Sequence, residues 1–245
     1  MPPNMMTNEE EMQLTIGHGH VLYTGGADGT DTLAEEMARE YGMQIEVIVP
    51  PNHPRAKFTS PASVEVLIQA DPAIGAAAHK LCKRVPTHFY TLSLLQRNYH
   101  IARKAHTVFA FGKLCADKKR VEGGTGWTVQ LAIDQGKEVF LFDTNTNQWY
   151  RSENTYNIEN SCLKKVTSFK PWGTLRLPTL HQSSAVVGSR DITPATRAAI
   201  KNLFQRTFCL PENIEQARAG RTSFVKHEAC SFFKPSQNLH SCHEQ

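Results

Sequence analysis

Short, almost wholly apolar runs alternate along this chain with stretches in which apolar residues recur every three or four positions. The runs are VLYTGG (21–26), IEVIVP (45–50), TVFAFG (107–112), EVFLFD (138–143) and AVVGSR (185–190). Runs without a polar face predict strands covered on both sides. Between them, Leu33, Met37 and Tyr41 mark one face over 31–42, Leu95, Tyr99 and Ala102 over 91–105, and Val129, Ala132 and Ile133 over 128–136, each a predicted helix. Gly42 and Gly136 follow the last periodic residues, where helix C-termini favour a left-handed residue.

Parallel strands need crossover helices, so this alternation predicts an α/β fold: a Rossmann-like doubly wound parallel sheet with helices on both faces. Its ligand crevice would lie at the carboxyl ends of the strands. Residues 51–88 interrupt the rhythm with prolines and two weaker helices, and read as an insertion leaning over that crevice. Residues 144–184, polar, aromatic and Pro-containing, predict a β-hairpin or an extended crossing segment. Residues 1–211 are expected to form one domain and 212–245 a loosely ordered tail.

Composition narrows the class of protein. Of 245 residues, 40% are hydrophobic and 20% charged, enough to bury a sizeable core. A net charge of +4, carried by dispersed Lys and Arg, is too weak for a nucleic-acid groove but suits small anions. Six cysteines without a CxxC pair, and an acidic N-terminus (MPPNMMTNEEEM) without an apolar core, point to reduced thiols and a cytoplasmic setting. No apolar run approaches the roughly 18 residues that span a bilayer, so no membrane partner is expected. The histidines and cysteines of IGHGH (His18, His20) and of the tail (His227, Cys230, His240, Cys242, His243) fit no metal spacing, and no metal or other cofactor is expected.

The candidate chemistry lies in two Gly-rich turns, each between a strand and a helix. In the first, Gly25, Gly26 and Gly29 would let a backbone approach an anion, Thr30 or Asp31 would cap the helix, and Asp28 or Asp31 would take a ribose hydroxyl, with Ala27 between them. The second comprises Gly123, Gly124, Thr125 and Gly126. Neither fits GxGxxG or GxxxxGK[ST], which disfavours ordinary dinucleotide binding and P-loop hydrolysis. Trp127 is either a core residue or a platform for a base. On the helix before the third strand, Arg97 beside Asn98 would reach the crevice with a bidentate fork, whereas Arg103 and Lys104 read as solvated charges.

With these elements in place the chain resembles the SMF/DprA–LOG (SLOG) superfamily of nucleotide-binding proteins. GGADGTDTLAEE is similar to that family's GGAxGxDxxA loop, RNYHIARKAHTVFAF to the helix and strand carrying its Arg, and EGGTGWTVQ to PGGxGTxxE. The resemblance places Arg97 and Gln130 at the catalytic positions. Yet Glu122 stands for the motif's Pro, Trp127 for its Thr and Gln130 for its Glu, and a Gln cannot act as a general base. AVVGSRDITPATRAAIKNLF (185–204) resembles the family's first strand and helix but comes last, which implies a circularly permuted fold with Gly188, Ser189 and Arg190 as a third strand-end loop. In such a fold the strand at 185–190 pairs beside VLYTGG in the parallel sheet.

The resemblance implies a binder, or sensor, of a small-molecule nucleotide or other phosphorylated nucleoside, and admits a homodimer. Two rivals are a LOG-like phosphoribohydrolase in which Asp28, Asp31, Glu35 or Glu122 replaces the missing carboxylate, and a DprA-like nucleic-acid or protein interaction module.

Overall fold

A computed structural model describes residues 17–209, apart from 58, 60, 160, 161 and 174–176. In chain order the elements are β1 (Val21–Thr24), α1 (Thr30–Glu40), β2 (Gln44–Val47), a 3-10 turn (Pro54–Lys57), α2 (Val64–Ile68), α3 (Asp71–Leu81) and α4 (Phe89–Lys104). They continue with β3 (Thr107–Gly112), α5 (Thr125–Asp134), β4 (Glu138–Asp143), β5 (Gln148–Glu159), β6 (Cys162–Pro171), β7 (Ser183–Gly188) and α6 (Pro194–Phe208). The seven strands form one sheet in the order β2-β1-β7-β3-β4-β5-β6. The first five run parallel and the last two form an antiparallel hairpin at one edge.

In β3, β4 and β7 the apolar runs lack a polar face because both faces of the sheet are covered, whereas β1 is buried at alternate residues and edge strand β2, expected to be covered on both sides, has no buried residue. Val108, Ala110, Val139, Leu141, Ala185 and Val187 point to one side, against Ile101 and Ala102 of α4 and Val129 and Ala132 of α5. The residues between them, Phe109, Phe111, Phe140, Phe142 and Val186, join a core on the other side with Leu33 and Ala38 of α1 and Ile200, Leu203 and Phe204 of α6. Side chains alternate at a period of two, so each strand feeds both cores. Both predicted helix stops hold: Gly42 (φ 69°) and Gly136 (φ 72°) are left-handed. The amides of Gly42 and Met43 return to Arg39 and Ala38, and those of Gly136 and Lys137 to Ile133 and Ala132, which is the Schellman pattern.

The last of the described strands, β7, occupies the interior of the sheet, between β1 and β3. β7 pairs in parallel with β1 (Val21↔Ser183) and with β3 (Val108↔Ala185, Phe111↔Gly188), so β1 and β3 are joined only through it. Counted from β7, the five parallel strands stand in the order 3-2-1-4-5, that of doubly wound dinucleotide folds. β7 ends at Gly188, two residues before the predicted boundary, which leaves Ser189 and Arg190 to form a loop.

Within 51–88 the two weak helices are α2 and α3. Within 144–184 the hairpin, rather than a crossing segment, is what forms. Its first strand follows β4 only through Phe140↔Arg151 to Asp143↔Gln148, and the ribbon then continues past the sheet to Glu159↔Cys162. The predicted tail from 212 onward, with its histidines and cysteines, lies outside the described residues. Among the described residues no helix is long and apolar enough to cross a membrane.

Because β7 supplies both ladders at the centre, a chain ending at residue 182 should show no cooperative urea transition. A transition with the full-length m-value would contradict this account of the sheet.

Candidate functional site at the strand ends

The turn after β1 is built around a carboxylate that points back into it. Asp31 Oδ2 accepts from the amides of Gly25 (3.1 Å) and Ala27 (3.3 Å), and the Gly26 amide donates to Thr24 Oγ1 (3.2 Å). Asp31 is buried, and burial lifts its pKa to about 6 although Arg97 and the two amides favour the ionised form. The expected helix cap is therefore corrected. The N-cap of α1 is Gly29, without a side-chain bond, while Asp31 closes the turn and the Thr30 hydroxyl donates to the Ser189 carbonyl (2.9 Å).

The expectation that these glycines clear room for an anion also needs correction, because protein atoms fill that room. A Cβ on Gly25 would overlap the Arg97 guanidinium, whose Nη1 donates to the Gly25 carbonyl. One on Gly26 would stand 2.8 Å from Val47 Cγ1 and 3.1 Å from Arg55 Nη1. One on Gly29 would overlap the carbonyl of Arg190, and Gly29 itself has φ 87° and ψ −117°, a combination reserved for glycine. Each glycine thus receives an arginine from a different segment: α4, the insertion, and the loop after β7.

Two of these arginines answer buried carboxylates. Arg55 forks onto Glu35 (Nη1–Oε1 2.8 Å, Nη2–Oε2 2.7 Å), which also accepts from Thr24 Oγ1 (2.8 Å) and Arg39 Nη2 (3.2 Å). Arg97 is buried beside Asp31; desolvation lowers its pKa and Asp31 opposes the change. Arg190 is exposed and forms no ion pair among the described residues. His53, half-buried in the insertion, accepts the Arg55 amide on Nδ1 (3.2 Å). Its pKa is lowered by burial, then by Arg97 and Arg55, with Asp28 opposing and Arg190 adding to the effect.

The loop after β7 knits the turn to the centre of the sheet. The Thr30 amide donates to the Ser189 carbonyl and the Ser189 amide to the Phe111 carbonyl, each at 3.2 Å. A Cβ on Gly188 would meet Thr30 Oγ1 at 2.5 Å, so only glycine passes there. Gly188, Ser189 and Arg190 therefore join the first turn, as the sequence implied.

The second turn stands across β7, above β3. Thr125 is the first residue of α5 and packs near Gly112, and Gly126 lies against the Val121 carbonyl. Gly123 and Gly124 are exposed with nothing within 4 Å of a Cβ position, and Gly124 has ordinary helical angles (φ −68°, ψ −37°). Neither packing nor backbone conformation demands glycine at 124. Two inter-strand spacings, about 10 Å, separate the ends of β1 and β3.

Three expectations on or near α5 and α4 resolve differently. Trp127 is a core residue, 7% exposed, with Lys83 Nζ 5.7 Å above its ring. Gln130, expected at a catalytic position, donates to Asp134 (2.8 Å), which pairs with Lys80 of α3 (2.7 Å), so its amide is committed along the helix. Asn98 is half-buried, and its side chain makes no hydrogen bond to the groups of the cluster among the described residues. Arg103 and Lys104 are exposed as expected. Sequence reasoning missed His53 and Arg55; the only trace of them was a basic, proline-flanked NHPRAK in the insertion.

Two cavities open away from the crevice. One of about 490 Å³ lies beside β2, lined by Ile45, Val47, Ala62, Val66, His100 and Lys104 among others, and one of about 420 Å³ lies around Phe140, Arg151 and Trp172. Neither is lined by a residue of the Gly-rich turns, so hydrogen-bond donors, not an enclosed volume, distinguish the crevice. Among the described residues no cluster of three or more His, Cys, Asp or Glu is placed to hold a metal ion. Comparison with known proteins finds no matching family model, no matching curated protein and no matching solved structure.

Gly29→Ala should cost on the order of 3 kcal/mol or more, from backbone strain and the clash with Arg190, whereas Gly124→Ala should stay within about 1 kcal/mol; urea unfolding of both variants measures the contrast. Asp31 has a raised folded-state pKa, so its contribution is largest below its unfolded value near 4 and is lost as pH rises toward 6. Asp31→Asn retains an acceptor for both amides and should flatten the fall in stability between pH 4 and 6.5. An unchanged pH profile would rule out Asp31 as its source.

Proposed function

We propose that the strand-end crevice binds a nucleotide or another phosphorylated nucleoside. The phosphate would lie against the open amides at the start of α5 and Arg190, and Asp28 would face the ribose hydroxyls. The observation that carries this reading is the gathering of Arg97, Arg55, Arg190 and His53, from three segments remote in sequence, at the carboxyl ends of β1, β7 and β3. Strand ends where the strand order reverses are where doubly wound sheets hold ligands. A helix N-terminus with exposed glycines adds anion-binding donors.

The two turns would divide the work. The amides of Gly25, Gly26 and Ala27 already serve Asp31 and Thr24, so the first turn favours hydroxyls over phosphate. Uncovered Gly123 and Gly124 favour the second turn for the anion. Binding without turnover is the better reading, since Gln130 is turned toward Asp134 and Glu35 is locked by the Arg55 fork. The strand order counted from β7 supports treating the chain as a circularly permuted relative of the SLOG proteins, acting as a sensor in the cytoplasm.

Thermal denaturation with each of the four common nucleoside monophosphates tests the proposal. A ligand at 100 times its Kd should add about 2.7 kcal/mol of stability. Gly124→Asp, which sets a carboxylate where the phosphate would lie, should abolish the shift, and no free base should appear. If none of the four raises the melting temperature, the reading fails; if base is released, it gives way to the hydrolase.

A further inference from the structure

We propose that Lys83, at the end of the insertion, is a ligand-binding residue of the second turn: its ammonium and the open amides of Gly124 and Thr125 together hold the phosphoryl group. This rests on the nucleotide-binding reading above and adds a residue that lies outside both Gly-rich turns and outside the motifs of the resemblance.

The end of α3 delivers Lys83 to this place. Cys82 takes a left-handed conformation (φ 54°), and the amides of Cys82 and Lys83 return to the carbonyls of His79 (3.1 Å) and Ala78 (2.9 Å). That pattern stops the helix, while Lys80 ties its last turn to α5 through Asp134 (2.7 Å). Just beyond the stop, exposed Lys83 donates from Nζ to the Gly123 carbonyl at 3.1 Å and stands 5.7 Å from the centre of the Trp127 ring. The insertion thus brings a cation to each turn, Arg55 against Gly26 and Lys83 against Gly123.

What the second turn leaves open matches an anion. The amides of Gly126 and Trp127 are used within it, on the carbonyls of Glu122 (3.2 Å) and Gly124 (3.1 Å), whereas those of Gly124 and Thr125 meet no acceptor among the described residues. An ammonium has three donors, so the bond to Gly123 leaves two for a ligand. A carbonyl oxygen and the nitrogen of the same peptide are about 2.3 Å apart, which puts Nζ within roughly 5.4 Å of the Gly124 nitrogen. Oxygens of one phosphoryl group, each about 2.9 Å from its donor, bridge that gap.

Charge singles out Lys83 among the cations nearby. Arg120 pairs with Asp117 (2.9 Å) and Lys80 with Asp134, but Lys83 meets no carboxylate among the described residues. Glu122, exposed at the entry to the turn, forms no ion pair among them either. Its charge opposes a phosphate at the neighbouring amides, and Lys83 is the cation positioned to offset it.

Calorimetric titration of the full chain with AMP, GMP, CMP and UMP, the tightest being carried forward, tests the inference. Lys83→Gln should weaken that nucleotide about tenfold, the effect of losing one charge-assisted bond, while melting within a few degrees of the parent. Lys119→Gln removes the same charge from the exposed loop before the turn and should change affinity less than about twofold. On the unmodified protein, saturating nucleotide should slow acetylation of Lys83 by acetic anhydride several-fold and leave that of Lys119 unchanged, as read by peptide mass spectrometry.

A loss in Lys83→Gln no larger than that in Lys119→Gln, or undiminished acetylation of Lys83 under saturating nucleotide, overturns the role of Lys83 and leaves the nucleotide reading intact. Failure of all four monophosphates to bind overturns both. Acetylation is read on the unmodified protein, so a poorly folding variant would not blunt the test.

Discussion

Every feature of the crevice depends on β7 being hydrogen-bonded on both sides. β1 and β3 have no ladder between them, and the strand that joins them is the last of the described strands. Backbone pairing of this kind is cooperative and fixes register, since a slip of one residue would exchange Val186 with Ala185 and Val187 between the two cores. With the register set, Gly188 comes level with Phe111, and the Ser189 and Arg190 backbone meets Thr30 and Gly29. The meeting of three loops at one point follows from strand pairing.

In the first turn glycine serves twice over: Gly26 and Gly29 have positive φ, and neither they nor Gly25 has room for a Cβ. At Gly25 and Gly26 the missing Cβ admits guanidinium groups, and at Gly29 it admits a carbonyl. Of the arginines so admitted, Arg55 forks onto buried Glu35, and Arg97 donates to the Gly25 carbonyl in the turn that buried Asp31 closes. Buried ion pairs seldom add much net stability, but breaking one strands a charge, which makes them better at fixing geometry than at raising ΔG. The Arg55 fork ties the insertion to α1, and Arg97 ties α4 to the first turn. The second turn carries no such network: Gly123 is explained by its left-handed backbone (φ 67°), and exposed Gly124 remains the glycine of the site with no internal explanation.

Much of this was legible in the sequence for local reasons. Apolar runs without a polar face gave away the central parallel strands β3, β4 and β7, because a sheet covered on both sides selects that pattern whatever its order. Gly42 and Gly136 marked helix ends because a left-handed residue is needed there. Arg97 and the GSR segment were identifiable from their neighbours, and both reach the first turn. Asp31 was recognised as important but given the wrong task, since a side-chain oxygen two residues past a glycine can turn toward the helix or back into the loop. Trp127 stood undecided because a helical aromatic has the same spacing in a core as beside a ligand.

Local pattern thus determined the elements, their mutual order as α/β units and the two Gly-rich turns, because strand periodicity, helix stops and turn residues act over a few residues. The tertiary structure decided which strand fills the centre, which donors the first turn keeps for itself, and that His53 and Arg55 of the insertion stand beside Arg97 and Arg190. Those are contacts between segments tens of residues or more apart, formed through a sheet whose strand order no stretch of the chain encodes by itself. Burial then changed the chemistry of the assembled groups, lifting the Asp31 carboxyl to about 6 and lowering His53. Desolvation and neighbouring charge belong to the assembled crevice, and so the protonation behaviour of this site was settled only when the chain had folded.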